Sequence, residues 1–141
     1  MRLNKRAATR FAVVAIGAVI AAFIAEYETR GPQVADAPTQ WTQALDDQWV
    51  STAVTIYREL PDDNEGSRHQ RLLGRTDGGH SLLIVHNIDL APRVPARTGD
   101  RIEVRGHFVW NDKGGLVHWT HHDPQGRHDG GYIDFAGKRY R

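Results

Sequence analysis

The sequence predicts an all-β fold, five to seven short strands closed into a small barrel behind an N-terminal transmembrane or signal helix. Three observations predict it. From Val50 onward apolar residues recur with a period of two, and clusters of turn formers separate these runs at short intervals. Ahead of them, one unbroken apolar run follows a basic stretch. At 141 residues the chain holds one domain and an appendage, since domains run to ~100–150 residues.

The appendage comes first in the chain. Phe11 to Ala25 carries no charge, and the ten residues before it hold Arg2, Lys5, Arg6 and Arg10 with no acid. As a helix the run spans ~22 Å, and residues 7–25 with Arg10 snorkelling approach the ~30 Å hydrocarbon core. The basic flank places the N-terminus in the cytoplasm and the remainder outside, in the periplasm. Cleavage after Ala25 would set bulky Phe23 three positions back, a poor fit, and Ala35-Asp36-Ala37 lies far beyond the apolar run. An uncleaved single-pass inner-membrane anchor is therefore favoured over a secreted or periplasmic chain freed by cleavage. Residues 1–27 are the anchor or signal peptide, 28–40 a polar linker with Gly31, Pro32 and Pro38, and 41–141 the domain. The chain has no Cys, so an exported domain here needs no disulfide.

Along the domain, Gln40 to Gln48 reads as a short helix presenting Trp41 and Leu45 on one face. Val50, Val54, Ile56 and Leu60 mark a half-buried strand, and Pro61-Asp62-Asp63-Asn64-Glu65-Gly66-Ser67 a loop. Gln70–Arg75 and Ser81–Ile88 form a hairpin about Asp77-Gly78-Gly79. The continuous run Leu82 to Val85 predicts cover on both faces. Pro92 and Pro95 make Asp89–Gly99 a loop. Arg101 to Trp110 alternates, with Ile102, Val104, Phe108 and Trp110 inward and Arg101, Glu103, Arg105 and His107 outward. Leu116–Thr120, Tyr132–Phe135 and Lys138–Tyr140 supply the last strands. So many short strands avoid exposed edges by closure. Thr98-Gly99-Asp100-Arg101-Ile102-Glu103-Val104-Arg105-Gly106 looks like a strand start common in oligonucleotide/oligosaccharide-binding (OB) folds, which makes the expected barrel OB-like.

Charge narrows the function. Beyond the first ten residues, 14 basic side chains face 17 acidic ones, so tight binding of duplex nucleic acid is not expected. No Gly-rich phosphate loop or nucleophile elbow is present.

What stands out is His. Four of the eight fall in His118-Trp119-Thr120-His121-His122-Asp123-Pro124-Gln125-Gly126-Arg127-His128. On a strand, His118 and His122 share a face but lie ~13 Å apart, too far to share an ion. His121 and Asp123 are nearer, and His128 can return after the turn to complete a His/His/Asp set for a divalent metal, zinc or manganese. The competing reading is a solvated hairpin end whose imidazoles bond turn amides. His86 and Asn87 end the second hairpin strand, and Arg68 and His69 follow the loop after the first strand, a loop that borders the ligand face in OB-folds. A His at a strand end is more often structural than a ligand, and a loop Arg is usually solvated. Trp119 is the candidate stacking platform, Trp110 a core residue, and His80 and His107 read as plain surface positions.

From about Val50 to Tyr140 the chain resembles a bacterial family known as a domain of unknown function. The likeness rests on Gly66-Ser67-Arg68-His69-Gln70, His86-Asn87-Ile88-Asp89-Leu90-Ala91-Pro92-Arg93, Trp110-Asn111, Gly114-Gly115 and His118-Trp119-Thr120-His121-His122-Asp123-Pro124 with Gly126, His128 and Gly131. It implies no activity and assigns no residue a role. A second, weaker likeness joins Thr120-His121-His122-Asp123 and His128 to the His-Me finger (HNH-type) nucleases. Those sites take a further ligand from a following helix, and the thirteen residues after His128 pattern as strands.

The expected function is a metal-dependent hydrolase, phosphodiesterase or nuclease-like. His121, Asp123 and His128 would hold the ion, His118 or His86 act as general base, and Arg68 stabilise the charged intermediate. The alternative is a non-catalytic OB-like module that binds an oligosaccharide, nucleotide or peptide through Arg68, His69, Asn87 and Trp119. A third reading is an interaction scaffold in which the polar turns only hold the barrel together.

Overall fold

Period-two alternation becomes strand wherever backbone pairing and one buried face can be had together. The computed structural model describes residues 37–141, in which seven strands follow one 3-10 turn, Gln43–Leu45. They are β1 (Gln48–Asp63), β2 (His69–Thr76), β3 (Ser81–Asn87), β4 (Arg101–Val109), β5 (Leu116–His118), β6 (Tyr132–Phe135) and β7 (Lys138–Tyr140). The described region is all-β, without an α-helix. The anchor predicted at residues 7–25 lies outside the described residues, among which no helix is long and apolar enough to cross a membrane.

Five strands form a ring in the order β1-β2-β3-β5-β4, which returns to β1 through a β1–β4 pairing. All pairings are antiparallel except β3 with β5. The long β1 serves two neighbours. Gln48–Thr55 pairs with β4, and Val54–Asp63 pairs with β2. Where the two pairings overlap the strands run close, because a Cβ on Gly74 would stand 2.6 Å from Val54 Cγ2. β6 extends the other edge of β4, and β7 pairs with β6.

Ring closure gathers Val54, Ile56, Leu72, Leu82, Ile84, Ile102, Val104, Phe108, Val117 and Ile133 into one core, each no more than 1% exposed. At ~25 cal/mol per Å² of apolar surface, each Ile, Leu or Phe so enclosed contributes roughly 1.5–3 kcal/mol before entropy is counted. Ala91, Val94 and Ala96 of the β3–β4 connection are buried as well. That connection is tied to β2 by Gln70, whose amide donates to Val94 O (2.8 Å) and accepts from Val94 N (3.0 Å).

Three expectations change. Pro61, Asp62 and Asp63 belong to β1, not to a loop. A register shift between Leu60 and Asp63 gives the proline a place where no ladder N–H is required. Of the β3 run Leu82–Val85, Leu82 and Ile84 are enclosed, and Leu83 and Val85 stay half-buried on the outer face. Trp110 packs half-buried against the core, with its ring 6.4 Å from that of Phe108.

Candidate functional site

The expected strand Leu116–Thr120 stops at His118. Trp119 takes a left-handed backbone, φ 52°, which a bulky side chain seldom adopts. Two glycines hold the segment there. A Cβ on Gly106 would meet His118 O at 2.4 Å, and one on Gly131 would meet Trp119 O at 2.0 Å, so backbone lies directly on backbone. The turn buries Thr120 completely and sends the chain into the loop 119–131. The ~13 Å strand separation of His118 and His122 therefore does not apply; instead His118 and His121 come to the same cleft.

That cleft, about 290 Å³, opens where the start of β2 and the ends of β3 and β5 meet this loop. His69, His118 and His121 line it, with Asn87, Ser67 and Arg127 as further polar groups and Val85, Leu90 and Trp119 as apolar wall. Burial lowers the His118 pKa to about 4, and the neighbouring His107, His121 and His128 push the same way. His121 is lowered too, chiefly by burial, against the opposing bond to the His122 carbonyl. Both rings are neutral at physiological pH, one nitrogen of each a hydrogen-bond acceptor.

Of the residues singled out from sequence, His69, Asn87, His118, Trp119 and His121 reach the cleft, and His86, Arg68, Asp123 and His128 do not line it. His86 is fully buried, its Nε2–H donating to Pro92 O (3.0 Å) and its Nδ1 lying 2.8 Å from the Thr120 hydroxyl. Neither of its nitrogens is free to take a proton from a bound molecule. Arg68 donates from Nε and from its backbone N–H to Asp89 at 2.8 and 2.7 Å. It fastens the loop after β1 to the β3–β4 connection, and the cation on the cleft wall is Arg127. Asn87 divides its work, because its Oδ1 also accepts from the Asp89 and Leu90 backbone N–H groups.

The predicted ion set lies close together, with His128 Nε2 3.8 Å from Asp123 Oδ2 and the His121 and His128 rings 5.7 Å apart, but the carboxylate is taken up by the turn. Asp123 is 7% exposed, and its carboxylate accepts from the backbone N–H of Gln125, Arg127 and His128, at 2.9, 2.5 and 3.1 Å. These bonds lower its pKa and make it the cap of the turn. His121 and His128 each donate Nδ1–H to a carbonyl, of His122 (2.8 Å) and Asp129 (2.6 Å). Among the described residues, no three His, Asp or Glu are placed to hold a metal ion.

Trp119 is 37% exposed, yet imidazoles stack on it: His128 at 4.6 Å and 4°, and His118 at 4.8 Å and 22°. Much of the π-surface a stacking platform would offer is thus in use. His107, read from sequence as a plain surface position, is 8% exposed and stands opposite His118 across β4 and β5, with His107 Nδ1 3.2 Å from His118 Nε2. Alternation assigned it correctly to the face away from the core. Only the register of two strands shows that loop 119–131 covers that face. His80, likewise read as plain surface, is half-buried, donates to Gly114 O (2.7 Å) and stacks on Trp41.

No curated protein matches the chain. A family described as "Protein of unknown function (DUF3465)" matches residues 33–141, and the chain belongs to that family.

Proposed function

We propose that this chain is a membrane-anchored OB-like barrel of the cell envelope whose histidine cleft hydrolyses a small anionic ester, a phosphodiester in the first instance. Support for the barrel comes from the closed five-strand order with its one parallel pairing, β3 with β5. Support for the anchor and the periplasmic placement comes from residues 7–25 and the basic flank. The observation that carries the activity is the neutral His118 in the wall of an open cleft beside Arg127 and Asn87.

In this reading a water molecule attacks phosphorus and loses its proton to His118. Arg127 balances the charge that grows on the phosphoryl oxygens, and the departing oxygen leaves with a proton returned by His118 or solvent. No step runs through a metal ion, because Asp123 is committed to its turn.

A non-catalytic reading, capture of an oligosaccharide, nucleotide or peptide in the same cleft, is favoured by one observation. An imidazole with a pKa of about 4 is a weak base, while Asn87 and Arg127 serve a bound ligand equally well. Turnover separates the two. The full chain in detergent, given bis(p-nitrophenyl) phosphate, is expected to release nitrophenolate, and His118→Gln to lose at least ~100-fold of that rate. Absent turnover with ligand-induced shifts of the Asn87 and Arg127 amides would make the protein a binding module.

A further inference from the structure

One carboxylate beside the cleft has no part in the hydrolysis just described. Asp47 precedes β1 with a left-handed backbone, φ 63°, that Asp tolerates better than most residues. Its N–H donates to Phe108 O (3.0 Å), and its Oδ1 stands 2.8 Å from His107 Nε2. His107 Nδ1 in turn stands 3.2 Å from His118 Nε2. Three side chains, from just before β1, from β4 and from the end of β5, thus form one hydrogen-bonded line that ends at the cleft residue His118.

The protons on this line follow from its outer end. An ionised carboxylate only accepts, so His107 carries its ring proton on Nε2. Its Nδ1 is then a lone pair, and the contact at 3.2 Å is a hydrogen bond only if His118 donates from Nε2. His118 is left with Nδ1 bare, and Nδ1 is the nitrogen for which the described residues supply no hydrogen-bond partner. We infer that Asp47 and His107 are positioning residues that fix the tautomer of His118 and present its Nδ1 as the proton acceptor of the cleft. The inference rests on the hydrolytic reading for its use, but not for its test.

When Nδ1 takes the proton of the attacking water, the new imidazolium keeps its Nε2–H bond to His107, and His107 keeps its Nε2–H bond to Asp47. One proton moves, and the charge is stabilised along the line. Asp47 is largely solvent-exposed, at 87%, so its effect is expected to be smaller than that of an enclosed carboxylate.

Long-range proton–nitrogen correlation on the full ¹⁵N-labelled chain in detergent, at pH 7.5, reads the tautomers directly and needs no substrate. The expected result is His107 and His118 both protonated on Nε2, with His118 Nδ1 at the position of an unprotonated nitrogen. In Asp47→Asn the amide can donate to His107 Nε2, and the line reverses, giving His118 Nδ1–H. A wild-type His118 that carries its proton on Nδ1, or a tautomer unchanged in Asp47→Asn, overturns the inference. Asp47→Asn is also expected to lower bis(p-nitrophenyl) phosphate turnover on the order of tenfold with KM unchanged. The expected tautomers without any turnover would uphold the line and reject the hydrolase. Turnover lost in His118→Gln but with the tautomers inverted would do the opposite.

Discussion

Lowering the pH from 7.5 towards 4 probes the buried ring of His86. It is sealed from solvent between Pro92 O and the Thr120 hydroxyl, and burial moves its pKa from the ordinary 6.5 to about 4. In the unfolded chain the ring takes up its proton near 6.5, while in the folded chain it does so only near 4. Across that interval the unfolded state binds more protons, so stability falls as pH falls and levels off below about 4. A separation of ~2.5 pH units at ~1.36 kcal/mol each amounts to about 3 kcal/mol. At ~4–8 °C per kcal/mol for a domain of this size, Tm should drop by more than ~10 °C. His118 acts in the same direction over the same interval and His121 in the same direction, each with smaller effect because they border the open cleft. The lowered carboxyls of Asp62, Asp77, Asp89 and Asp123 act in a separate window. Their stabilisation is complete above the ordinary 3.8 and is lost only at more acid pH. Urea unfolding of the full chain at half-unit steps measures the slope. His86→Gln should begin less stable yet lose about 3 kcal/mol less between pH 6.5 and 4. An identical slope in the variant, or a His86 resonance titrating near 6.5, would refute the reasoning.

Gly131→Ala is expected to cost roughly 2–4 kcal/mol, because the new Cβ falls 2.0 Å from Trp119 O and backbone must move to admit it. Thermal unfolding followed by near-ultraviolet circular dichroism, which senses Trp119, should show both the lower Tm and an altered signal. Asp123→Ala strips the acceptor from three backbone N–H groups and should cost about 2 kcal/mol, with faster hydrogen exchange at Gln125, Arg127 and His128. Zinc or manganese, followed by elemental analysis after gel filtration, should not remain at one ion per chain. A stoichiometric ion lost in His121→Ala would restore the three-ligand reading of His121, Asp123 and His128.

Most strands were legible in the sequence, because each needs only alternation and a flanking turn, and both are local; the extension of β1 through Asp63 and the stop of β5 at His118 were not. Ile102, Val104 and Phe108 lie inward as their spacing requires, and Ala136-Gly137 turns the last hairpin. Residues that the sequence singled out, Asn87 at the end of β3, His118 at the end of β5 and His121 in the loop that follows, line one cleft. Which partners each residue meets there depends on tertiary structure. A histidine reads the same in sequence whether its ring nitrogens are consumed by Pro92 O and Thr120, as in His86, or open to a cleft, as in His118. Asp123 reads as a ligand until the turn folds its own N–H groups onto the carboxylate. His107 and Asp47 were invisible as partners of His118 because strand register, a non-local quantity, sets them in line. The strained Trp119 that redirects the chain depends on Gly106 and Gly131 meeting backbone from elsewhere in the fold, a contact that exists only once the ring has closed.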